Sequence, residues 1–458
     1  MKELLLLSGL GILSLIAEIL NVRKLIYPLV IIGLFLNIGF CVSDFGHNEA
    51  IYGMMVLDKI PLAFTILFSF IAILWFTMAK NYFKDETNLS DHFSLVLFSL
   101  VGVFILTSYT HMVMLFLGVE ILSIPVYVLA GSDKRNLYSN EAAFKYFLLG
   151  AFASGFLLLG ITFVYGALGS FNLVQIASSA MSPYGISQQL LIVGFLLILF
   201  AMAFKMSAVP FHFWAPDVYT GAPTVITAYM STIVKIGAIA GFYRLFSVVL
   251  SFYTHYNFVL LLMAVLTIAV GNIIAASQSN VKRLLAYSSI GHAGFIILGI
   301  CVLSASTPYV IWYYLLAYSL ASIASFWVLM LVSKQKDDED ISAFNGLVKR
   351  SPVLAGTMII ALLSMAGIPP LAGFFAKYFI LLNVIEKGYI LIAVIAILAS
   401  LIGVYYYFKL IIAMFSGTAE ESAAIEVPQF TKLILILISL ILIVVGVLPD
   451  FILGLIFR

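Results

Sequence analysis

Residues 194–235 read GFLLILFAMAFKMSAVPFHFWAPDVYTGAPTVITAYMSTIVK, and the interpretation of the whole chain starts from this stretch. An apolar run long enough to enter a bilayer carries Lys205 before Pro210 interrupts it, and a second apolar run buries Lys235. Proline removes one backbone hydrogen bond and bends a helix, and hydrocarbon tolerates such a break only where it lines protein or water. A lysine at bilayer depth costs roughly 2.5–3.5 kcal/mol on insertion scales. Two such lysines beside a broken helix therefore indicate an ion-handling site.

The composition is typical of a polytopic helical membrane protein. The chain has 458 residues, of which 63% are hydrophobic and 10% are charged, whereas about a quarter of the residues in soluble domains are charged. The net charge of +2 gives no reason to expect a nucleic-acid partner. Cys41 and Cys301 belong to no metal or haem motif, and no GxGxxG motif follows a strand pattern. Redox cofactors are therefore expected in partner proteins.

Segments of about 20 apolar residues span a bilayer. The sequence predicts about fourteen such helices, the seventh and twelfth of them broken: 2–20, 25–43, 60–79, 91–108, 112–131, 142–168, 189–219, 222–246, 257–277, 283–303, 308–332, 352–386, 388–415 and 431–449. Most lysines and arginines of the connections fall on one side, which should be cytoplasmic. Both termini are therefore expected to be periplasmic, and the acidic and basic connection 334–340 is expected to be a solvated cytoplasmic loop.

The predicted helices form two blocks of similar length. Residues 91–247 hold five segments and residues 248–415 hold five more, and the fourth segment of each block is broken. Because each block has an odd number of helices, the second lies inverted relative to the first, as in transporters with sites near the midplane. Residues 1–90 are predicted to form three accessory helices, and residues 416–458 a C-terminal membrane helix.

Five of the ionisable residues inside predicted membrane segments form the candidate site: Glu120, Lys205, Lys235, His292 and Lys377. Free lysine titrates near pH 10.4, which makes it too basic to release a proton at neutral pH. Desolvation disfavours its charged form, and a nearby carboxylate favours it. A buried lysine whose carboxylate partner approaches and withdraws is therefore a switchable proton carrier, and Glu120 with Lys205 is the candidate pair. For His292 a packing role stays open.

Polar side chains at helical spacing offer a hydrated route between the lysines. One stripe lies on segment 222–246 and another on segment 308–332, and Ser288 stands one turn from His292. Because serine, threonine and tyrosine also join membrane helices, a packing role stays open for each stripe. The stripe residues are Thr224, Ala228, Ser231, Tyr314, Tyr318, Ser322 and Ser325.

Four blocks of sequence resemble the subunit N family of proton-pumping NADH–quinone oxidoreductase, the respiratory complex I. They are YFLLGAFASGFLLLGITFVYGALGS at 146–170, FKMSAVPFHFWAPDVYTGAPT at 204–224, NVKRLLAYSSIGHAGF at 280–295 and LLSMAGIPPLAGFFAKYFIL at 362–381. The resemblance runs through essentially the whole chain. It implies an all-α antiporter-like fold of fourteen helices with two inverted five-helix repeats, each containing a broken helix.

The resemblance also implies a role for each candidate residue. Glu120 becomes the carboxylate of the fifth helix, and Lys205 becomes its partner on the broken seventh helix. Lys235 becomes the connecting lysine of the eighth helix, and Lys377 on the broken twelfth helix becomes the lysine that exchanges protons with the outside. His292 falls among the polar residues of the central axis.

The implied function is proton translocation by a membrane subunit of a translocase, without redox chemistry in this chain. NADH, FMN, iron–sulfur clusters and quinone are expected in partner subunits, whose electron transfer would drive the pumping. The expected neighbours are subunits K and M and the lateral helix of subunit L, in a bacterial inner membrane.

Related proteins define the alternatives. Subunit M is expected to carry glutamate where Lys377 stands, and subunit L a long C-terminal lateral helix, whereas this sequence ends at Arg458 after the last predicted segment. Cation–proton antiporter subunits of the Mrp type share the implied fold and are the main alternative. A solute transporter would need polar groups converging on one pocket, and a scaffold subunit would gain nothing from three buried lysines.

Overall fold

The computed structural model describes residues 1–20, 22–83, 89–179, 188–252, 255–336, 338–416 and 424–457. Within these ranges the chain is almost entirely helical, which confirms the predicted all-α membrane class. One short antiparallel hairpin, β1 (Glu49–Ile51) and β2 (Met55–Leu57), was not predicted. Helices dominate because a backbone in hydrocarbon must satisfy its hydrogen bonds within each segment. The chain divides into two compact units.

The first unit comprises Met1–Trp214 and Gly221–Val259. Its helices, in chain order, are α1 (Lys2–Ile19), α2 (Ile26–Ser43), α3 (Lys59–Tyr82), α4 (Leu89–Ser108), α5 (Met112–Ala130), α6 (Leu137–Leu168), α7 (Leu173–Ser179), α8 (Gln188–Met206), the two ends of α9 (Trp214–Gly221), α10 (Thr224–Tyr229), α11 (Lys235–Phe252) and the beginning of α12 (His255–Ala276).

The second unit comprises Ala215–Thr220 and Leu260–Arg458. Besides the remainder of α9 and α12, it contains α13 (Val281–Cys301), α14 (Thr307–Lys336), α15 (Leu347–Arg350), α16 (Pro352–Ala366), α17 (Ala372–Glu386), α18 (Ile390–Phe415), α19 (Gln429–Val447) and α20 (Pro449–Phe457). The sequence predicted no helix after residue 449. Proline suits the first position of a helix because its missing N–H has no helical partner there, and α20 begins in this way.

Twelve helices in the described ranges are long and apolar enough to cross a membrane. They correspond to twelve of the fourteen predicted segments. The predicted segment 2–20 forms α1, which carries Lys2, Glu3 and Glu18 among its 18 residues. The predicted segment 352–386 forms the two shorter helices α16 and α17. The count of fourteen spans therefore stays a prediction.

Both predicted helix breaks are confirmed. Between α8 and α9, Ser207 adopts a left-handed conformation with φ of 60°, and the Val209–Pro210 peptide bond is cis. Between α16 and α17, Gly367 is left-handed with φ of 87°, and the Pro369–Pro370 peptide bond is cis. The left-handed residue follows the last helical residue in each case, which is the usual C-terminal stop of a helix.

The segment 222–246 is not the continuous α-helix that the sequence predicted. A π-helical segment, Met230–Val234, separates α10 from α11 and ends immediately before Lys235. A π turn is a rare single-turn feature of α-helices. Hydrophobic periodicity carries no signal for it, because every residue around the turn is buried.

Lys334, Gln335 and Asp338 of the connection 334–340 are exposed, as the prediction of a solvated connection expects, and Glu339 and Asp340 are half-buried. The Glu339 carboxylate lies 3.3 Å from Nζ of Lys282 at the start of α13, and the Lys282 side chain is 5% exposed. The Ile341 amide donates to the Ser279 carbonyl oxygen at 2.9 Å. Because a buried lysine needs a counter-charge, the end of this connection packs on α13.

Glycines hold α8 close to α6. A Cβ atom placed on Gly160 of α6 would lie 2.7 Å from the carbonyl oxygen of Gly194 in α8, nearer than real Cβ contacts come. Small residues of this kind let the backbones of membrane helices approach each other. The close packing positions the end of α8, which carries Lys205, beside the first unit's other polar side chains.

Candidate functional site

Lys205 lies near the end of α8 and is 7% exposed. Its Nζ donates to the hydroxyls of Ser123 and Tyr127 of α5, each at 2.8 Å. The ammonium also lies 5.3 Å from the centroid of the Tyr127 ring, within the range of a cation–π interaction. The buried amine is therefore held by two hydroxyls and a ring, all from one neighbouring helix.

Glu120 lies on the same helix as these hydroxyls, three residues before Ser123, and is half-buried. Its carboxylate accepts a hydrogen bond from Ser154 of α6. No hydrogen bond or ion pair joins Glu120 to Lys205, and both side chains lie in described parts of the first unit. Glu120 thus lies one helical turn from Ser123, a hydroxyl that Lys205 binds. The pairing of Glu120 with Lys205 stays a prediction.

A series of aromatic rings supports Lys205. Tyr127 meets Tyr146 of α6 edge-on, with ring centroids 4.7 Å apart, and Tyr146 stacks on Trp214 with centroids 4.5 Å apart. The indole Nε1–H of Trp214 donates to the Phe204 carbonyl oxygen at 3.0 Å. The series therefore begins at the Lys205 side chain and returns to the peptide that precedes it. Sequence reasoning missed it, because neither tyrosine carries a charge that marks it as functional.

Lys235 is the first residue of α11 and is 2% exposed. The predicted polar stripe on this segment is buried, but its Ser231 hydroxyl donates to the Ala228 carbonyl oxygen at 3.0 Å. The neighbouring Thr232 hydroxyl donates to the same carbonyl oxygen at 2.6 Å. These hydroxyls satisfy the helix backbone, and the packing alternative for this stripe gains support.

His292 of α13 lies in the second unit and is 8% exposed. Its Nδ1 lies 2.8 Å from the hydroxyl of Tyr314 of α14, and its Nε2 lies 3.2 Å from the hydroxyl of Tyr407 of α18. The Tyr407 hydroxyl also bonds to Ser288. Because neutral imidazole has one donor and one acceptor nitrogen, this arrangement suits either tautomer and both packing and proton transfer.

The second predicted stripe lies around this histidine. Tyr314, Tyr318, Ser322 and Ser325 are all buried, and the Ser325 hydroxyl donates to the Ala321 carbonyl oxygen at 2.8 Å. A cavity of about 10 Å³ is lined by His292, Tyr314, Ala317, Tyr318, Ser364, Met365, Gly373 and Ala376. This volume is close to the lower limit for holding one water molecule. Tyr314 and Tyr318 therefore line space for a single water.

Lys377 of α17 is half-buried in the second unit. Its Nζ donates to the Ala366 carbonyl oxygen at 3.0 Å and to the Ser400 hydroxyl of α18 at 2.8 Å. The ammonium lies 5.4 Å from the centroid of the Phe295 ring. Ala366 is the last residue of α16, so this lysine reaches back across the break and caps the helix that precedes it.

Residues 109–403 match the family described as NADH:quinone oxidoreductase/Mrp antiporter, TM. The match includes all five candidate residues and both helix breaks. The chain belongs to this family.

Curated members of the NADH:quinone oxidoreductase/Mrp antiporter family align with the whole chain. NADH-quinone oxidoreductase subunit N of Cytophaga hutchinsonii is 45% identical over 458 residues, 99% of each chain. Subunit N of Flavobacterium psychrophilum is 42% identical over 461 residues, covering 99% of this chain and 100% of that one. A chain of respiratory complex I from Thermus thermophilus with bound aureothin is 30% identical, with a TM-score of 0.85 and coverage of 99% and 98%. The resemblance to the subunit N family is confirmed.

The Mrp branch of the family is related in fold. A chain of the Mrp complex from Dietzia sp. DQ12-45-1b has a TM-score of 0.87 at 20% identity, covering 100% of this chain and 96% of that one. At this identity the likeness shows the fold alone. The NADH–quinone oxidoreductase branch is better supported, because its members combine the fold with much higher identity.

Among the residues that the structure describes, no group of three or more histidine, cysteine, aspartate or glutamate side chains could hold a metal ion. Cys41 and Cys301 are both buried and unpaired by any disulfide. The expectation that redox cofactors belong to partner subunits stays a prediction for this family member.

Sequence reasoning located the lysines and the histidine of the site but missed most of their partners. Tyr127, Ser400 and Tyr407 are ordinary members of apolar helices in the sequence. The three consecutive tyrosines Tyr405, Tyr406 and Tyr407 of α18 are a local signal that the sequence analysis did not use. The hydroxyl of Tyr406 donates to Asn272 Oδ1 at 3.1 Å, which joins α12 to the same cluster in the second unit.

Proposed function

We propose that the chain is the proton-translocating, antiporter-like membrane subunit of an NADH–quinone oxidoreductase. One observation carries the proposal: each of three lysines within the apolar helices lies beside an interruption of the helical ladder. Lys205 precedes left-handed Ser207 by two residues, Lys235 follows the π-helical segment, and Lys377 bonds the last carbonyl before the second break.

A helix interruption exposes backbone groups that a regular membrane helix would satisfy internally. Such groups stabilise an ammonium in its charged form, and burial destabilises that form. A lysine that experiences both effects can bind and release a proton when its surroundings change slightly. Three structural lysines would gain nothing from this repeated placement, because a regular helix with a carboxylate partner is sufficient for an ion pair.

The proposed carriers are Glu120, Lys205, Lys235, His292 and Lys377. Glu120 adjusts the proton affinity of Lys205 in the first unit, and Lys377 is the exchanging group of the second. His292, whose two ring nitrogens both have hydroxyl partners, serves as a relay. Partner subunits carry the NADH, FMN, iron–sulfur and quinone chemistry, so the chain acts as part of a translocase without catalysing electron transfer.

The proposed domain organisation is two inverted five-helix repeats over 91–247 and 248–415, with accessory helices on either side. Two features support it. Each repeat contains one helix broken after a left-handed residue, and the odd number of helices per block inverts the second block. Inverted repeats with discontinuous helices are characteristic of membrane transporters.

Both termini of the chain are proposed to be periplasmic, in a bacterial inner membrane, because lysine and arginine collect on the opposite side. Cysteines introduced at positions 340 and 456 test this topology with an impermeant thiol reagent in intact cells. Both native cysteines are buried, which keeps the background low. Labelling at 456 and not at 340 is expected; the reverse pattern would overturn the orientation.

The proposed partners are the neighbouring subunits K and M and the lateral helix of subunit L. The solved relative with 30% identity comes from respiratory complex I, which supports membrane-subunit partners of this kind. Purification of the tagged chain from its native membrane should recover flavin and iron–sulfur subunits. Recovery of Mrp-type membrane subunits alone would favour the alternative, a cation–proton antiporter subunit.

Proton pumping by inverted membrane vesicles with NADH tests the function directly. Lys205→Ala and Lys235→Ala should each reduce pumping by about tenfold, because a buried proton carrier has no substitute at its position. Lys387→Ala is the matched control, since Lys387 is an exposed lysine at the end of α17. Normal pumping by both buried-lysine variants in assembled complexes would contradict the proposal.

A further inference from the structure

Trp75 of α3 is fully buried and joins α10 to its surroundings. Its indole Nε1–H donates to the Val225 carbonyl oxygen at 2.7 Å. Its ring meets Tyr229 edge-on, with centroids 5.3 Å apart, and the hydroxyl of Tyr229 bonds to Ser99 of α4. One donated hydrogen bond near the beginning of α10, and one ring contact and one pair of hydroxyls at its last residue, therefore join this helix to α3 and α4.

The short helix α10 lies directly before the π-helical segment Met230–Val234, and Lys235 follows that segment. A π turn contains about one residue more than an α turn, so it rotates everything that follows by about 100° relative to a continuous α-helix. This rotation decides the direction in which the Lys235 side chain leaves the helix. The alternative conformation is a continuous α-helix without the π turn. In that helix the Lys235 side chain would point in a different direction.

Two hydroxyls inside the segment favour the interruption. Ser231 and Thr232 both donate to the Ala228 carbonyl oxygen, at 3.0 and 2.6 Å. Bonds from serine and threonine to the preceding turn compete with the backbone ladder and bend helices. These bonds lie within one helix, however, and cannot fix its rotation relative to the neighbouring helices. A contact from another helix is required for that.

We propose that Trp75 is a positioning residue that holds the π-helical segment in register and thereby aims the ammonium of Lys235. The inference rests on the proposed role of Lys235 as a proton carrier. If Trp75 has this role, α3 contributes to transport, although it lies outside both proposed repeats. The indole N–H is essential because it fixes the backbone of α10 itself, while the ring contact fixes only a side chain.

Trp75→Phe removes the indole N–H and keeps an aromatic ring in the same space. Loss of one buried hydrogen bond that fixes the register should reduce NADH-driven pumping by about threefold to tenfold. The pH of half-maximal pumping should also move by about 0.5–1 pH unit, because the amine enters a different environment. Assembly of the complex is followed separately by native gel electrophoresis.

Trp327→Phe is the matched control. Trp327 of α14 is as fully buried as Trp75, and its indole N–H has no hydrogen-bond partner among the described residues. The same chemical change at this position should leave both the pumping rate and its pH profile unchanged. An equal effect of the two substitutions would show that any buried tryptophan matters to packing, and it would overturn the inference.

A double-mutant cycle with Lys235→Ala separates positioning from general stability. If Trp75 acts through Lys235, adding Trp75→Phe to Lys235→Ala should cause no further loss. A further loss of the same size would overturn the inference. Normal pumping by Lys235→Ala alone would instead contradict the proposed role of that lysine, so the two failures are distinguishable.

Tyr229→Phe provides a second variant of the same anchor. It removes the hydroxyl that bonds to Ser99 and keeps the ring that contacts Trp75. It should displace the pH profile of pumping by a smaller amount than Trp75→Phe and in the same direction. If the tryptophan variant does not assemble, an unchanged profile in Tyr229→Phe would overturn the inference.

Discussion

Lys205 and Lys377 both lie beside a broken helix, yet the two breaks hold them differently. Lys205 precedes its break and bonds two side-chain hydroxyls from one neighbouring helix. Lys377 follows its break and bonds the last carbonyl of the preceding helix together with Ser400. The first ammonium is thus held by groups that can rotate and exchange protons, and the second partly by a fixed backbone dipole.

The carboxylate is the second difference. Glu120 stands one turn from Ser123, a hydroxyl partner of Lys205, and bonds to Ser154. The partners of Lys377 in the described part of the second unit are all neutral, including the ring of Phe295. The Glu120 carboxylate can therefore influence whether Lys205 is protonated. Lys377 has no ionisable group among its described partners. We therefore expect function to tolerate substitution least at Lys377.

The largest expected effect is at Lys377. Lys377→Met removes the proton site, and Lys377→Arg keeps a cation that cannot release its proton near neutral pH. Each should reduce NADH-driven pumping by more than about tenfold, since no second ionisable group can replace the carrier. The measurement is pumping by assembled complexes in inverted vesicles.

Lys387→Met controls for the loss of a lysine near the same helix, because Lys387 directly follows α17 and is exposed. An arginine variant that assembles and pumps like the parent would show that Lys377 needs only its charge. The proposal that Lys377 exchanges protons would then be wrong. Lys377 would also no longer be expected to tolerate substitution less than Lys205 does.

The next effect concerns the carboxylate near Lys205. Glu120→Gln and Lys205→Ala should each reduce pumping by about tenfold, and the double variant should lose little more than either single one, because residues that act as a unit are non-additive. Glu141→Gln is the control, as Glu141 forms an exposed ion pair with Lys145 at 2.7 Å. Simply additive losses would mean that Glu120 does not adjust Lys205.

A smaller effect is expected from Tyr127→Phe, which removes one of the two hydroxyls that accept from Lys205. The ring stays in place against Tyr146, so assembly should be normal. Pumping should fall by about twofold to fivefold, the scale of one lost hydrogen bond to a charged group that keeps another partner. Tyr138→Phe, at an exposed position in α6, should pump normally; equal losses in both would refute a specific role for Tyr127.

The smallest effect concerns the left-handed residues that end α8 and α16. Ser207→Gly should raise stability by about 0.5–1 kcal/mol, since glycine adopts positive φ without the steric cost of a Cβ atom. The buried Ser207 hydroxyl also has no hydrogen-bond partner in the described structure. Thermal unfolding of the purified complex would detect the gain, and pumping should stay normal. A loss of pumping would give the Ser207 hydroxyl a role that Gly367 cannot have.

The membrane class and the positions of both breaks follow from local sequence features. Long apolar runs have to form helices because hydrocarbon offers no partner for backbone groups, and proline with a left-handed residue ends a helix wherever it occurs. The candidate lysines were also predictable, because a charge inside an apolar run is visible without any tertiary information. The π-helical segment was not, since its neighbours are uniformly buried and show no change of period.

The sequence by itself determined that this chain is a helical membrane protein with two interrupted helices and three lysines among apolar residues. Only the tertiary structure decided which groups accept hydrogen bonds from those lysines. The partners of Lys205 lie 82 and 78 residues earlier in the chain, and Trp75 lies 150 residues before the carbonyl that it binds. Helical periodicity describes one segment at a time. It cannot specify contacts between helices, because these depend on how glycines and bulky side chains let whole helices pack.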